Sequence, residues 1–259
     1  MQHHTDKIMK NMEKKDQISP IIICMIQARM NGKRLPGKVM KEINGKPIIS
    51  FIVNRVSNVK RISKIVVVTS TTKQDDILAN YLKKHKIEFF RGSENNVLER
   101  FFQAAQKYKA DYIIRLTADN PFVDPKTIDT VLTEILTNDY EYVSNDLKRT
   151  FPLGFDVEMF TYDALKRITN LASKAEDFEH VTLVIRNNPE LFQTKNIVAP
   201  KDLMHPDWRL TVDEPNDLIL IQKIMEILPN DDISFTDIMK ILESNQDLIS
   251  INANVKQKT

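Results

Sequence analysis

The stretch of the sequence best suited to chemistry is residues 28–38, called the basic loop below, which follows an apolar run at residues 21–26. The loop reads ARMNGKRLPGK, so four of its eleven residues are cationic and two are glycines. Glycines let the backbone approach phosphate oxygens, while arginine and lysine supply positive charge and several N–H donors. In a chain with a formal net charge of only +2, this concentration of cations predicts a polyanion site. The alternative is a basic loop that is simply solvated.

Residues 32–38 also match the pattern G-x-x-x-x-G-K of a P-loop. The next residue is Val39, however, where a P-loop has the serine or threonine whose hydroxyl binds Mg²⁺. Pro36 also removes one backbone N–H from the phosphate cradle. A P-loop kinase or ATPase is therefore the weaker interpretation.

Two aspartates occupy equivalent positions farther along the chain. Residues 115–121 and 209–215 share the pattern R-L-T-x-D-x-P, which places Asp119 and Asp213 between an apolar run and a segment led by proline. One or two carboxylates, completed by phosphate oxygens and water, are the ligands that Mg²⁺ prefers. The pair therefore predicts a Mg²⁺ site, and the alternative for each aspartate is capping of the helix that follows.

The elements that must position these residues alternate between strand and helix along the first half of the chain. We predict strands at residues 21–26, 65–68, 87–90 and 112–116, and helices at residues 47–59, 76–84, 95–108 and 127–136. This alternation indicates an α/β fold in which a mostly parallel sheet carries helices on both faces. Such sheets bind ligands at the carboxyl ends of their strands, where the basic loop and Asp119 lie.

The pattern is looser between residues 140 and 200, which we interpret as an insertion or arm that covers the site. A further strand of the parallel sheet is predicted at residues 208–212. No low-complexity linker divides the chain, so we expect residues 20–255 to form one domain, preceded by a disordered polar extension at residues 1–19.

Composition excludes several classes of protein. The 37 basic and 35 acidic residues nearly balance, which argues against a nucleic-acid partner. No apolar run approaches the roughly 20 residues of a membrane span, and the polar start lacks a signal core. The single cysteine, Cys24, cannot form an internal disulfide. We therefore expect a cytoplasmic protein with no membrane partner.

Several motifs together resemble a known family, the CMP-sugar synthetases. They are the basic loop and residues 91–94, 97–100, 116–121, 154–158, 179–182 and 208–213. The chain is similar to 3-deoxy-manno-octulosonate and acylneuraminate cytidylyltransferases, and most similar to the spore coat polysaccharide biosynthesis branch. It departs from that branch at Asn31 and Ala118, where glycine is usual, and at Leu153, where an acidic residue is usual.

The resemblance implies a Rossmann-like nucleotide-diphospho-sugar transferase fold. It further implies Mg²⁺-dependent transfer of CMP from CTP to an acidic keto-acid sugar, with pyrophosphate released, for surface polysaccharide biosynthesis. A homodimer is also implied, and we expect the arm to need a partner chain to bury Phe151, Phe155 and Phe160.

The same resemblance guides the choice of site residues. The expected catalytic residues are Arg34, Lys38, Asp119 and Asp213, and the two aspartates are also the expected metal ligands. The expected nucleotide-binding residues are Ala28, Arg29, Gly32, Arg34, Gly37, Lys38, Arg91 and Ser93. The candidates for the acceptor are Arg115, Asn145, Asp156, Glu158, His180 and Arg209. For Arg91, Arg115 and Arg209, ion pairing within the protein is an equal alternative.

Two other functions remain open from the sequence. A glycosyltransferase of similar fold would take a nucleotide sugar as donor, but residues 129–139 contain no D-x-D metal motif, and Asp231 and Asp232 lie too near the carboxyl end. A catalytically inactive nucleotide-binding protein is the other alternative, although the basic loop and both aspartates are present.

Overall fold

The protein is described by a computed structural model that covers residues 19–228 and 233–257. Residues 1–18, which make up nearly all of the predicted amino-terminal extension, lie outside the described residues. The same holds for Asp231 and Asp232.

A seven-stranded mixed sheet forms the centre of the molecule. Its strands are β1 (Ile22–Gln27), β4 (Lys64–Ser70), β5 (Phe89–Gly92), β6 (Tyr112–Thr117), β7 (Tyr142–Ser144), β8 (Glu158–Thr161) and β9 (Thr194–Asn196). Their order across the sheet is β5-β4-β1-β6-β8-β7-β9. Strands β5, β4, β1 and β6 are parallel, whereas β8 is antiparallel to both of its neighbours. Strands β2 (Glu42–Ile43) and β3 (Lys46–Pro47) form a separate small hairpin. The predicted mostly parallel α/β sheet is therefore confirmed.

Helices cover both faces of the sheet. They are α1 (Ile48–Val56), α2 (Asp76–Lys84), α3 (Val97–Lys107), α4 (Pro125–Thr137), α5 (Tyr162–Leu171), α6 (Ala175–Glu179), α7 (Leu183–Asn187), α8 (Pro215–Ile227), α9 (Phe235–Ser244) and α10 (Gln246–Ser250). Successive side chains of a strand point to opposite faces, so Cys24 packs in one apolar cluster and Met25 in the other. Helices α1, α2, α4, α8 and α9 contribute to the first cluster, and α3, α5 and α7 to the second. None of the described helices combines the length and the apolar character that crossing a membrane requires.

The segment 140–200 is continuous with this sheet, because it supplies β7, β8 and β9. Phe151, Phe155 and Phe160 are 4%, 0% and 0% exposed within the single chain. Phe151 and Phe155 pack against the ring of Phe235 on α9, at centroid distances of 5.3 and 4.7 Å. The expectation that a partner chain must bury these rings is therefore wrong, and the homodimer stays a prediction without that support.

Residues 208–212 do not form the predicted strand. The place beside β6 is taken by β8, so this stretch instead runs along the turn at Leu153 and makes one isolated bridge there. Gly154 permits the close approach, since its φ is +112° and a Cβ atom would lie 2.5 Å from the carbonyl carbon of Leu210. The N–H of Val212 then donates to the carbonyl oxygen of Asp119 over 2.7 Å, which brings Asp213 next to Asp119.

Candidate active site

A cavity of about 740 Å³ lies beyond the carboxyl ends of β1 and β6. Most of the basic loop lines it, together with the turn at residues 117–119 and Asp213. Further lining residues come from other loops and from the carboxyl-terminal segment: Glu94, Asn95, Glu179, His180 and Gln257. A second cavity of about 260 Å³, between α4 and α9, is mostly apolar and contains none of the predicted site residues. The larger cavity is therefore the candidate active site.

The basic loop curls around the backbone of Met30. The carbonyl oxygen of Met30 accepts hydrogen bonds from the N–H groups of Gly32 and Gly37, at 3.0 and 2.9 Å. Gly37 has a φ of +68°, in the left-handed region that favours glycine, and it directly precedes a short 3₁₀ turn that begins at Lys38. This turn returns Lys38 to the edge of the sheet where the two aspartates lie.

Lys38 joins the two predicted metal ligands. Its Nζ lies 2.7 Å from Oδ2 of Asp119 and 2.8 Å from Oδ1 of Asp213. Burial alone would lower the pKa of Lys38, but the two carboxylates outweigh burial and raise it. Burial would likewise raise the pKa of Asp213, but Lys38, Arg209 and Arg34 lower it. Lys38 and Asp213 are therefore both ionised at neutral pH.

Arg34 approaches the same carboxylate from the basic loop. Its Nη2 lies 2.8 Å from Oδ2 of Asp213, and its Nη1 lies 3.6 Å from Oε1 of Glu214. That Nη1 atom is buried and has no hydrogen-bond partner among the described residues. Because water does not reach this atom, Arg34 must shift before Nη1 can donate to a ligand in the cavity.

Arg209 supports Asp213 and does not line the cavity. Its guanidinium donates to both carboxylate oxygens of Asp217, at 2.9 and 3.0 Å, and to Oδ2 of Asp213 at 2.8 Å. Asp217 also accepts the backbone N–H groups of Asp213 and Glu214, each at 2.9 Å. Asp217 was not among the predicted site residues. It lies three residues after Glu214 and forms a capping box with it at the start of α8, and that spacing could have pointed to it.

The donor set at Asp119 and Asp213 fits a hydrated Mg²⁺ ion that also binds phosphate. Two carboxylates reach one point, the position of the Lys38 ammonium, and Mg²⁺ is held by one or two carboxylates with water and phosphate oxygens as its other ligands. Thr117 Oγ1 donates to Oδ1 of Asp119 and orients it. Across the part of the chain that the structure describes, no cluster of three or more His, Cys, Asp or Glu side chains forms a larger metal centre.

The predicted nucleotide ligands divide into two groups. Ala28, Arg29, Gly32, Arg34 and Lys38 line the cavity, and Arg29 lies 3.4 Å from Glu179 across its rim. Gly37 does not line the cavity; its positive φ forms the bend that precedes Lys38.

Arg91 and Ser93 lie outside this lining. The guanidinium of Arg91 donates to the carbonyl oxygen of Ser70 and to Asp76, both at 2.8 Å. Ser93 Oγ accepts the N–H of Asn96. Both residues therefore stabilise loops beside the cavity.

Of the six acceptor candidates, His180 alone lines the cavity within the described chain. Arg115 and Glu158 form a buried ion pair, and Glu158 also binds Arg186 Nη2 at 2.7 Å and Thr182 Oγ1 at 2.6 Å. Burial would raise the pKa of Glu158, but Arg115 and Arg186 hold it well below its usual range. Arg115 reaches the cavity only indirectly, by donating to the side chain of Gln27 at 3.0 Å.

The two remaining candidates are also used within the fold. Asn145 is fully buried and bonds the backbone of Phe155 and Val157, at 2.8 Å each. Asp156 forms a two-bond pair with Arg149, at 2.6 and 3.2 Å, yet burial raises its pKa to about 6. The structure therefore does not bring these carboxylates and the amide together with Asp119 and Asp213.

The family departures at Asn31 and Ala118 are compatible with the fold. Within the described chain, the non-glycine residues with positive φ are Asn44, Lys86 and Lys109. Asn31 and Ala118 are not among them, so neither position needs the conformational freedom of glycine.

Comparison with known proteins agrees with the fold. The protein belongs to the class of nucleotidyltransferases, and solved structures of that class share its fold. The chain belongs to the cytidylyltransferase family, whose sequence pattern it matches over residues 23–251. This confirms the family resemblance stated from the motifs and identifies the chain as an enzyme.

Individual relatives are similar over most of the chain. The spore coat polysaccharide biosynthesis protein SpsF of Bacillus subtilis is 35% identical over 234 residues, which cover 87% of this chain and 95% of that protein. A solved cytidylyltransferase from Leptospira borgpetersenii is 28% identical with a TM-score of 0.86, covering 93% of this chain and 100% of that one. A CMP:2-keto-3-deoxy-manno-octonic acid synthetase complexed with CTP has a TM-score of 0.62 at 16% identity, covering 80% and 99%, which is a likeness of fold.

Proposed function

We propose that this enzyme transfers CMP from CTP to an acidic sugar of the keto-acid class and releases pyrophosphate, as a step in making a surface polysaccharide. The observation that carries the proposal is the convergence of Asp119 and Asp213 on Lys38, in a cavity lined by the basic loop. Cations for phosphates and paired carboxylates for a metal are the parts that transfer from a nucleoside triphosphate requires. The SpsF relative supports the polysaccharide, and the synthetase solved with CTP supports the nucleotide.

In the proposed reaction the oxygen of an acceptor hydroxyl attacks the α-phosphorus of CTP, and the hydroxyl proton is lost to water. The bond between the α- and β-phosphates breaks, and pyrophosphate leaves with its electrons. Arg34 and Lys38 face the β- and γ-phosphates and neutralise the charge that grows on the leaving group. Lys38 exchanges its carboxylate partners for phosphate oxygens, and Arg34 presents its guanidinium to them from the wall of the cavity.

Mg²⁺ is part of the proposal, with Asp119 and Asp213 as its protein ligands. A bound ion would supply positive charge at the phosphate oxygens. Arg34 and Arg209 both contact Oδ2 of Asp213, which leaves Oδ1, now on Lys38, as the oxygen directed at the metal position. The protein therefore orients the carboxylate before any ligand arrives.

The test is incubation of the purified protein with CTP, UTP, ATP or GTP, Mg²⁺ and a panel of acidic sugars, with pyrophosphate as the measured product. We expect release only when CTP and a keto-acid sugar are both present. A matched Asp119→Asn variant should release little. Orthophosphate as the first product, in enzyme free of pyrophosphatase, would contradict cleavage between the α- and β-phosphates.

The same assay separates the other two functions. A glycosyltransferase would release a nucleoside phosphate from a nucleotide-sugar donor and leave CTP intact. An inactive nucleotide-binding protein would bind CTP in a calorimeter but release no pyrophosphate with any sugar.

A further inference from the structure

Asp75 is a fully buried carboxylate that joins the end of β4 to the basic loop. Its Oδ1 accepts the backbone N–H of Met30 at 2.7 Å. Its Oδ2 accepts Thr69 Oγ1 at 3.0 Å, the N–H of Ser70 at 3.0 Å and Ser70 Oγ at 2.5 Å. One oxygen is thus held by the sheet and the other holds the loop.

The residue held by Asp75 is the one around which the loop is built. Met30 donates its N–H to Asp75 and accepts from Gly32 and Gly37 through its carbonyl oxygen. A loop with two glycines has many alternative conformations, and a hydrogen bond to a buried side-chain oxygen selects among them. The placement of the loop's cations therefore depends on this carboxylate.

We propose that Asp75 is a positioning residue for the triphosphate, acting through the basic loop. It does not line the cavity, so it makes no contact with a ligand there. Its bond to Met30 sets the base of the turn from which Arg34 and Lys38 reach Asp213. The inference rests on the proposed function for its choice of CTP, but the loop geometry it invokes does not depend on that choice.

Asparagine at this position is a sharp test, because it presents one oxygen and one NH₂ group in place of two oxygens. Three donors converge on Oδ2 and one on Oδ1, so the amide oxygen is expected to face Ser70 and the NH₂ group to face Met30. The N–H of Met30 then loses its acceptor while the volume of the side chain is unchanged. Asp75→Ala removes both oxygens and serves as a second variant.

The experiment measures hydrogen–deuterium exchange across residues 29–38 and the affinity for CTP, in the wild type, Asp75→Asn and a matched Ser70→Ala control. Ser70→Ala removes a hydrogen bond to Oδ2 and leaves the bond to Met30 intact. We expect Asp75→Asn to accelerate exchange at Met30, Gly32 and Gly37 and to weaken CTP binding about tenfold or more. In kinetics, KM for CTP should rise much more than KM for the acceptor. The control should lose thermal stability without either effect.

The outcomes are distinct. Unchanged loop exchange and unchanged CTP affinity in a folded Asp75→Asn protein would overturn the inference. Loosened loop exchange in an enzyme that fails to bind CTP even as wild type would uphold the loop anchor and overturn the proposed function. Should neither Asp75 variant fold, the wild type decides: protection of the Met30 amide equal to that of β1 amides upholds the anchor, and exchange at the rate of an exposed loop refutes it.

Discussion

The backbone N–H of Val212 donates to the carbonyl oxygen of Asp119 over 2.7 Å, which ties together two segments that are distant in the chain. Asp213 follows directly and therefore lies beside Asp119. Both carboxylates then reach the same lysine of the basic loop. This contact and the two ion pairs of Lys38 together assemble the candidate metal site from three separate parts of the sequence.

Lys38 neutralises the two aspartates in the absence of ligand, so removing it should improve binding of a free divalent cation. We expect Lys38→Met to bind Mn²⁺, without nucleotide, on the order of tenfold more tightly than the wild type, because the two carboxylates lose the cation that lies between them. Lys33→Met is the matched control, since Lys33 is an exposed residue of the same loop. Electron paramagnetic resonance of free Mn²⁺ measures the difference, and equal affinities would show that Lys38 does not compete with the metal.

Asp119 and Asp213 should each be essential for turnover. Asp119→Asn and Asp213→Asn are expected to lower kcat roughly a hundredfold or more, because each loses a ligand to the ion that neutralises developing charge. Asp207→Asn, at an exposed position, should leave the rate unchanged. Near-normal Mg²⁺-dependent rates in both site variants would reject the paired-carboxylate site.

Arg34 and Lys38, the two cations of the basic loop that contact Asp213, should matter more in the transition state than in the ground state. Arg34→Ala and Lys38→Ala are therefore expected to lower kcat as well as raise KM for CTP. Lys33→Ala should be milder, because its side chain is exposed. Steady-state kinetics with pyrophosphate detection checks this, and a rise in KM alone would mean that the loop only binds the substrate.

Glu158 should control acid stability. Arg115 and Arg186 hold its pKa below the ordinary value of 4.5, so its stabilisation is complete above that value and is lost as pH falls below it. Glu158→Gln should cost about 3 kcal/mol at pH 7, because it leaves the half-buried Arg115 without its carboxylate and leaves Arg186 with Asp146 as its carboxylate partner. The variant should then lose less further stability than the wild type between pH 5 and pH 3.

Urea unfolding of both proteins across that pH range tests the prediction. Parallel loss of stability in the wild type and Glu158→Gln would show that other carboxylates dominate acid unfolding. The exposed pair of Arg61 and Asp129 offers a comparison, because Asp129→Asn should change stability by less than about 1 kcal/mol.

The parallel half of the sheet and the position of the basic loop could be predicted from the amino-acid sequence alone. Buried strands such as β1 are continuous apolar runs, and the amphipathic helices between them have the matching period, so local patterns suffice. The spacing of glycines and cations likewise predicts a polyanion site at residues 28–38, and the structure places most of these residues in the wall of the larger cavity. The expected meeting of Asp119 and Asp213 followed from their shared context at the ends of apolar runs.

Which polar side chains face the cavity could not be predicted from the sequence and became clear only from the folded structure. Arg91, Arg115 and Glu158 are paired inside the protein, and no periodicity in the sequence distinguishes a buried ion pair from a ligand contact. Residues 208–212 are apolar enough for a strand, but β8 occupies the place beside β6 that they would need. Asp75 and Asp217 support the site, but each lies next to the start of a helix, where an aspartate is common and does not by itself indicate a role in a site. Hydrophobic periodicity is a local property of the sequence, so it predicts which side chains are buried. The partners of a charged group instead depend on segments that meet only after the chain has folded.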